Sequence, residues 1–130
     1  MNQKGYIYVF CSPEVKLLYN TDFIEKQLIL YCNKNNIKII GIITDVINDR
    51  PNLSILLNKI DKERLICWSV SQLSWDIDGI MAIRKKLCMI NLNILTLPQD
   101  INTSVGYFML TTAAASEEYI YDIYLKNNNM

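Results

Sequence analysis

The sequence predicts one α/β domain with a mainly parallel sheet of four strands, or slightly more, flanked by helices. Three observations carry this. Strand-like runs alternate with amphipathic helical segments four times along the chain, a pattern that calls for βαβ crossovers. The length of 130 residues suits one domain. No repeat, linker or composition break divides the chain.

The elements follow in order. Gly5–Phe10 is aromatic and β-branched, as a buried strand requires. Asp22 reads as a helix N-cap with Glu25 completing a capping box. Ile24, Gln27, Leu28 and Tyr31 then share one helical face, and the helix stops in the Asn33–Asn36 turn. Ile37–Ile43 is the second strand. Pro51 opens a short helix through Leu53, Leu56, Leu57 and Ile60, proline being at home in a first turn. Leu65–Trp68 forms a third strand. A third helix, starting near Ser74 or Asp76, carries Ile77, Ile80, Met81, Ile83 and Leu87. Asn93–Leu97 is a fourth strand closed by Pro98. A long C-terminal helix, from about Ser104 to Lys126, has a stripe running from Val105 through Phe108, Met109, Thr112, Ser116, Tyr119 and Ile120 to Ile123. Residues 1–126 are thus expected to form the domain, with 127–130 a frayed tail.

Composition narrows the function. With 51% apolar residues and a mean hydropathy of +0.11, the chain can bury a core. It lacks the run of about 18 apolar residues that spans a bilayer, and its N-terminus has no signal-peptide layout, so a cytoplasmic location is expected. The 13 basic and 13 acidic residues cancel. Duplex DNA is held largely by phosphate neutralisation, so DNA binding by the isolated chain is disfavoured. Histidine is absent, which removes Ser-His-Asp and Cys-His hydrolase schemes. Cys11, Cys32, Cys67 and Cys88 lack the paired spacing of zinc sites and read as small buried residues. No metal and no cofactor is expected.

Ligands of open α/β sheets sit beyond the carboxyl ends of the strands. That rule selects Cys11 and Ser12, then Asp45 and Arg50, then Ser69–Gln72, then Gln99 and Asp100. Polar loops occur there in every such fold, so placement alone does not separate a site from ordinary loop polarity.

The same loops, with the helices between them, resemble the catalytic domain of serine recombinases, the resolvase/invertase family. Tyr8-Val9-Phe10-Cys11-Ser12 lies on the pattern Tyr-x-Arg-x-Ser, with Ser12 on the nucleophile and Phe10 on an arginine. The helix segment Glu25–Asn35 matches a family helix in which Gln27 keeps a position usually occupied by glutamine. Asp45 falls on the acidic residue after the second strand. Asp49-Arg50-Pro51-Asn52-Leu53 matches Asp-Arg-Pro-Gly-Leu, so Arg50 keeps one active-site arginine. Ser69–Trp75 lies on Lys-Leu-Asp-Arg-Leu-x-Arg, with Ser71 in place of the aspartate and Gln72 and Trp75 in place of arginines. Asp100–Met109 resembles the entry to the family's long helix, where Glu118 matches a commonly acidic site.

The resemblance implies serine attack on a DNA phosphodiester, with arginines meeting the charge that develops on the phosphoryl oxygens. Arginine suits that task because its planar fork donates two parallel hydrogen bonds and stays charged. Phe10, Gln72 and Trp75 cannot do this. Losing one such donor costs ~10²–10³ in rate, and a serine hydroxyl without a base or nearby cation is a weak nucleophile. The expected function is therefore a catalytically inactive recombinase-like domain that acts by association, with itself or a recombinase-type partner, through the C-terminal helix. The alternative is an active domain using Ser12 and Arg50, with DNA-binding parts supplied by another chain. A third reading is a small-ligand crevice beside Ser12, Asp45 and Arg50. The chain is expected to carry no DNA-binding domain, since Ser116–Lys126 is acidic and aromatic where relatives turn basic.

Overall fold

Alternate residues of the first strand face opposite sides of the sheet, and here both sides are apolar. That pattern demands a helix layer on each face. The computed structural model describes residues 3–13, 20–74, 77–88 and 91–96. Within them the order is β1 (Gln3–Phe10), α1 (Thr21–Lys34), β2 (Ile37–Asp45), α2 (Pro51–Lys59), β3 (Arg64–Cys67), a 3₁₀ turn (Val70–Gln72), α3 (Ile77–Cys88) and β4 (Asn91–Ile94). The four strands form one parallel sheet in the order β2-β1-β3-β4.

Tyr6, Tyr8 and Phe10 face α2 and α3, joining Leu53, Leu56, Leu57, Leu65, Val70 and Ile80 in the larger core. Ile7 and Val9 face α1, where Ile24, Leu28, Cys32, Ile37 and Ile66 complete the second core. The α/β expectation holds, with the parallel sheet between two helix layers.

The structure corrects several boundaries. The first helix is capped by Asn20, whose Oδ1 accepts the Phe23 N–H at 3.0 Å, so Asp22 lies in the first turn rather than at the cap. Its buried face is Thr21, Ile24, Leu28 and Cys32, with Gln27 and Tyr31 only half-buried. Strand β2 runs on to Asp45 because Val9 and Phe10 extend its pairing with β1. Strand β3 starts at Arg64 and β4 at Asn91, earlier than their apolar residues suggest. Asn91 hid the start of β4, expected at Asn93, yet Arg64 pairs with Asn91 and its Nη1 donates to Asn93 Oδ1 at 2.9 Å. Parallel hydrogen bonding also outlasts the strand, from the Leu95 N–H to Cys67 O and from the Thr96 N–H to Trp68 O, both at 3.0 Å. The expected long C-terminal helix and the 127–130 tail lie outside the described residues.

Two glycines in the sheet have different reasons for being there. A Cβ on Gly5 would stand 2.8 Å from Ile66 Cδ1 and 3.0 Å from Ile37 Cγ2, both in the second core. One on Gly41 would meet nothing nearer than the Tyr6 ring at 3.6 Å. Overpacking a filled core costs about 1–3 kcal/mol. Gly5→Ala should therefore lose about that much stability in urea unfolding, whereas Gly41→Ala should stay within about 0.5 kcal/mol of wild type.

Candidate functional site

The carboxyl edge of a parallel sheet gathers the loops after each strand, and here it brings together residues that are far apart in sequence. Asp45, the last residue of β2, is buried. Its Oδ1 accepts the Asn52 N–H at 3.0 Å, and its Oδ2 accepts the Leu53 N–H at 2.9 Å and the Tyr8 hydroxyl at 2.9 Å. Helix α2 starts after Arg50, whose side chain makes no cap hydrogen bond. Its first N–H groups would otherwise be orphaned, so Asp45 caps the helix from outside, and the positive helix end favours its charge. Asn52 adds a clasp, donating through Nδ2 to Thr44 O at 2.8 Å. Burial, and then the hydrogen bond to Asp45, push the Tyr8 phenol far above its ordinary pKa.

Arg50 occupies the left-handed backbone region, with φ at 46°. This sharp turn sends its side chain inward, leaving the residue only 6% exposed. Nε donates to Gln72 O at 3.0 Å, Nη2 to Ser71 O at 2.8 Å and Nη1 to Asn48 O at 3.0 Å. Its Cζ lies 3.8 Å from the centroid of the Phe10 ring, a cation–π distance. The Nε–Nη2 edge, one that arginine can offer to a phosphate, is bound to two main-chain carbonyls.

Gln72 closes the arrangement from the β3 side. Its Oε1 accepts the Phe10 N–H at 2.7 Å, while its Nε2 is buried with no partner. Ser69 and Ser71, both buried, share a hydrogen bond between hydroxyls at 3.0 Å. Ser12 lies two residues beyond Phe10 and is 1% exposed. The adjoining Cys11 N–H donates to Asp45 O at 2.8 Å, tying the β1 and β2 ends together. A cavity of about 230 Å³ adjoins Arg50, with Asp49, Leu57, Leu73 and Ile83 in its lining.

The structure thus joins Phe10, Arg50, Ser71 and Gln72 in one packed unit, linked to Asp45 through the ends of β1 and α2. Ser12 lies at the same edge, and Gln27 is half-buried on α1. Trp75, Gln99, Asp100 and Glu118 fall outside the described residues. Sequence reasoning selected Asp45 and Arg50 but not their bonds. It passed over Tyr8, whose hydroxyl serves Asp45, although a tyrosine in an apolar strand needs a polar partner. It also missed that Arg50, standing where α2 needs a cap it cannot supply, requires a carboxylate from elsewhere.

Residues 14–128 match the family described as "Resolvase, N terminal domain". The fold is similar to the N-terminal catalytic domain of TP901-1 integrase, with a TM-score of 0.64 and 19% identity over 93% of this chain and 98% of that one. It is also similar to the C-terminal catalytic domain of ISC1926 TnpA, an IS607-like serine recombinase. There the TM-score is 0.57 and the identity 11%, over 98% of this chain and 99% of that one. No curated protein matches the chain.

Two outcomes are expected from these contacts. Arg50→Lys keeps the charge but cannot reach three carbonyls in one plane, and should cost about 2–4 kcal/mol in denaturant unfolding. Tyr8 is raised in the folded state, so its contribution is fully present below the unfolded pKa of about 10 and is lost as pH climbs above it. Wild type should therefore lose stability above about pH 10 more steeply than Tyr8→Phe, measured by thermal melts across that range.

Proposed function

The chain belongs to the family of resolvase N-terminal domains, and from that premise we propose that it has left strand transfer and acts by association with itself or a recombinase-type partner. The domain is of the serine recombinase catalytic type, the class involved in DNA recombination. One observation carries the reading: the guanidinium of Arg50 is spent on Ser71 O, Gln72 O and Asn48 O above the Phe10 ring. In this reading Ser12 occupies the nucleophile's position and Phe10, Gln72 and Trp75 stand in for arginines.

A phosphoryl transition state concentrates negative charge, and preorganised donors must meet it where it develops. Phe10 offers a ring and one main-chain N–H, which Gln72 already takes. Gln72 offers a neutral amide. Losses at several positions that act as a unit do not simply add, yet together they should exceed ~10⁵ in rate. The active alternative, with Ser12 as nucleophile and Arg50 on the phosphate, requires Arg50 to release the 3₁₀ turn. That would strand two buried carbonyls, a cost of about 1–3 kcal/mol each.

Association draws on the apolar stripe from Val105 to Ile123, and the domain's partner is a second copy or a related recombinase. Incubation with nicked suicide duplexes, followed by denaturing gels, should give no covalent protein–DNA adduct. An adduct that disappears in Ser12→Ala would overturn the inactive reading.

A further inference from the structure

Strand pairing places Lys4 of β1 beside Lys38 of β2. Lys38 lies between Ile37 and Ile39, which pack on the α1 side, so it points to the opposite face. Lys4, two residues before Tyr6, shares that face. There Lys59 of α2 holds its Nζ 5.5 Å from the Tyr6 ring centroid. Lys4 and Lys38 are exposed and have no ion pair among the described residues. The acidic residues nearest in sequence to Lys59 are Asp61 and Glu63; Glu63 Oε2 accepts the Asp61 N–H at 2.9 Å, and its carboxyl is held below its usual range first by such main-chain hydrogen bonds and least by the charge of Lys59. Like charges side by side across strands are destabilising, so this corner suits an anionic partner.

Of these lysines, Lys59 also lines a groove between β2 and α2. A cavity of about 290 Å³ lies there, lined by Ile42, Ile43, Ile55 and Leu56, with Lys59, Thr44 and Asn52 as its polar lining. Ile42 and Ile55 remain 39% and 64% exposed in the single chain. A groove whose apolar lining is isoleucine and leucine and whose one charged lining residue is a lysine fits an amphipathic acidic segment better than a nucleic-acid backbone, which would leave the isoleucines wet.

The chain contains such a segment. In Ser116–Lys126, Tyr119, Ile120 and Ile123 fall in helical register, with Glu118 and Asp122 four apart beside them. The 13 basic and 13 acidic residues cancel overall, so a lysine corner and an acidic end are complementary halves of one neutral chain. We propose that the β2–α2 groove, with Lys4, Lys38 and Lys59, receives residues 116–126 of a second copy of this chain. The exchange is two-fold: each copy supplies one groove and one segment, as in an isologous dimer. This rests on the association reading above and names the surface on which the C-terminal segment lands.

Charge reversal tests it in the full chain by sedimentation equilibrium. Lys38→Glu with Lys59→Glu should weaken self-association at least about tenfold, and Glu118→Lys with Asp122→Lys should do the same. Lys38 and Lys59 lie outside the described cores, and circular dichroism checks that each variant is folded. Mixing the two variants restores both contacts in a heterodimer, and tight association should return only in the mixture. If a variant fails to fold, the salt dependence of wild-type association replaces it, with weakening expected between 0.1 and 0.5 M on the order of tenfold. A dimer indifferent to these reversals or to salt overturns the groove assignment and leaves association through the apolar stripe standing. A strictly monomeric wild type overturns both. Duplex DNA retained through these lysines with no change in oligomeric state overturns the proposal in favour of nucleic acid.

Discussion

A buried guanidinium must be given hydrogen-bond partners, and the way Arg50 finds them organises the carboxyl edge of this sheet. Removing a charge from water costs several kcal/mol unless hydrogen bonds replace the hydration. Arg50 recovers that cost from Asn48 O in its own loop and from Ser71 O and Gln72 O after β3. Phe10 lies beneath it, and the Phe10 N–H is held by Gln72 Oε1. One side chain therefore fixes the ends of β1, β3 and the β2–α2 loop relative to one another.

Asp45 supports the same edge from the opposite charge. Its carboxylate takes two N–H groups of α2 and the Tyr8 hydroxyl. The acid and the base do not spend themselves on each other in a salt bridge, but each serves the main chain. That arrangement ties the strand ends and the start of α2 together through the main chain. Gln72 Nε2, buried without a partner among the described residues, is a neutral donor. Arg50, buried and bonded to three main-chain carbonyls, acts as a structural clasp at this edge.

Much of the fold was legible because its signals are local. Alternating apolar runs and helical faces identify the βαβ order, and Pro51 marks the start of α2. Boundaries were less legible where side chains act across the sheet. Asn20 and Asp22 are equally plausible caps by type, and only geometry selects Asn20. Asn91 looks like a loop residue until its pairing with Arg64 is seen. At the site, the strand-end rule and the family resemblance both pointed to Asp45 and Arg50. Neither could supply their partners, since main-chain carbonyls carry no sequence signature. Tyr8 was legible in principle, as a polar group in an apolar strand, and the 3₁₀ turn at Val70–Gln72 was not.

The clasp can be tested directly by following the Arg50 Nε–H in nuclear magnetic resonance spectra of labelled protein. Bound to Gln72 O and buried, it should exchange slowly with solvent and keep its chemical shift when phosphate or a short duplex is added. Rapid exchange, or a shift that titrates with the phosphodiester, would contradict the account by showing that the guanidinium is free to meet a phosphate.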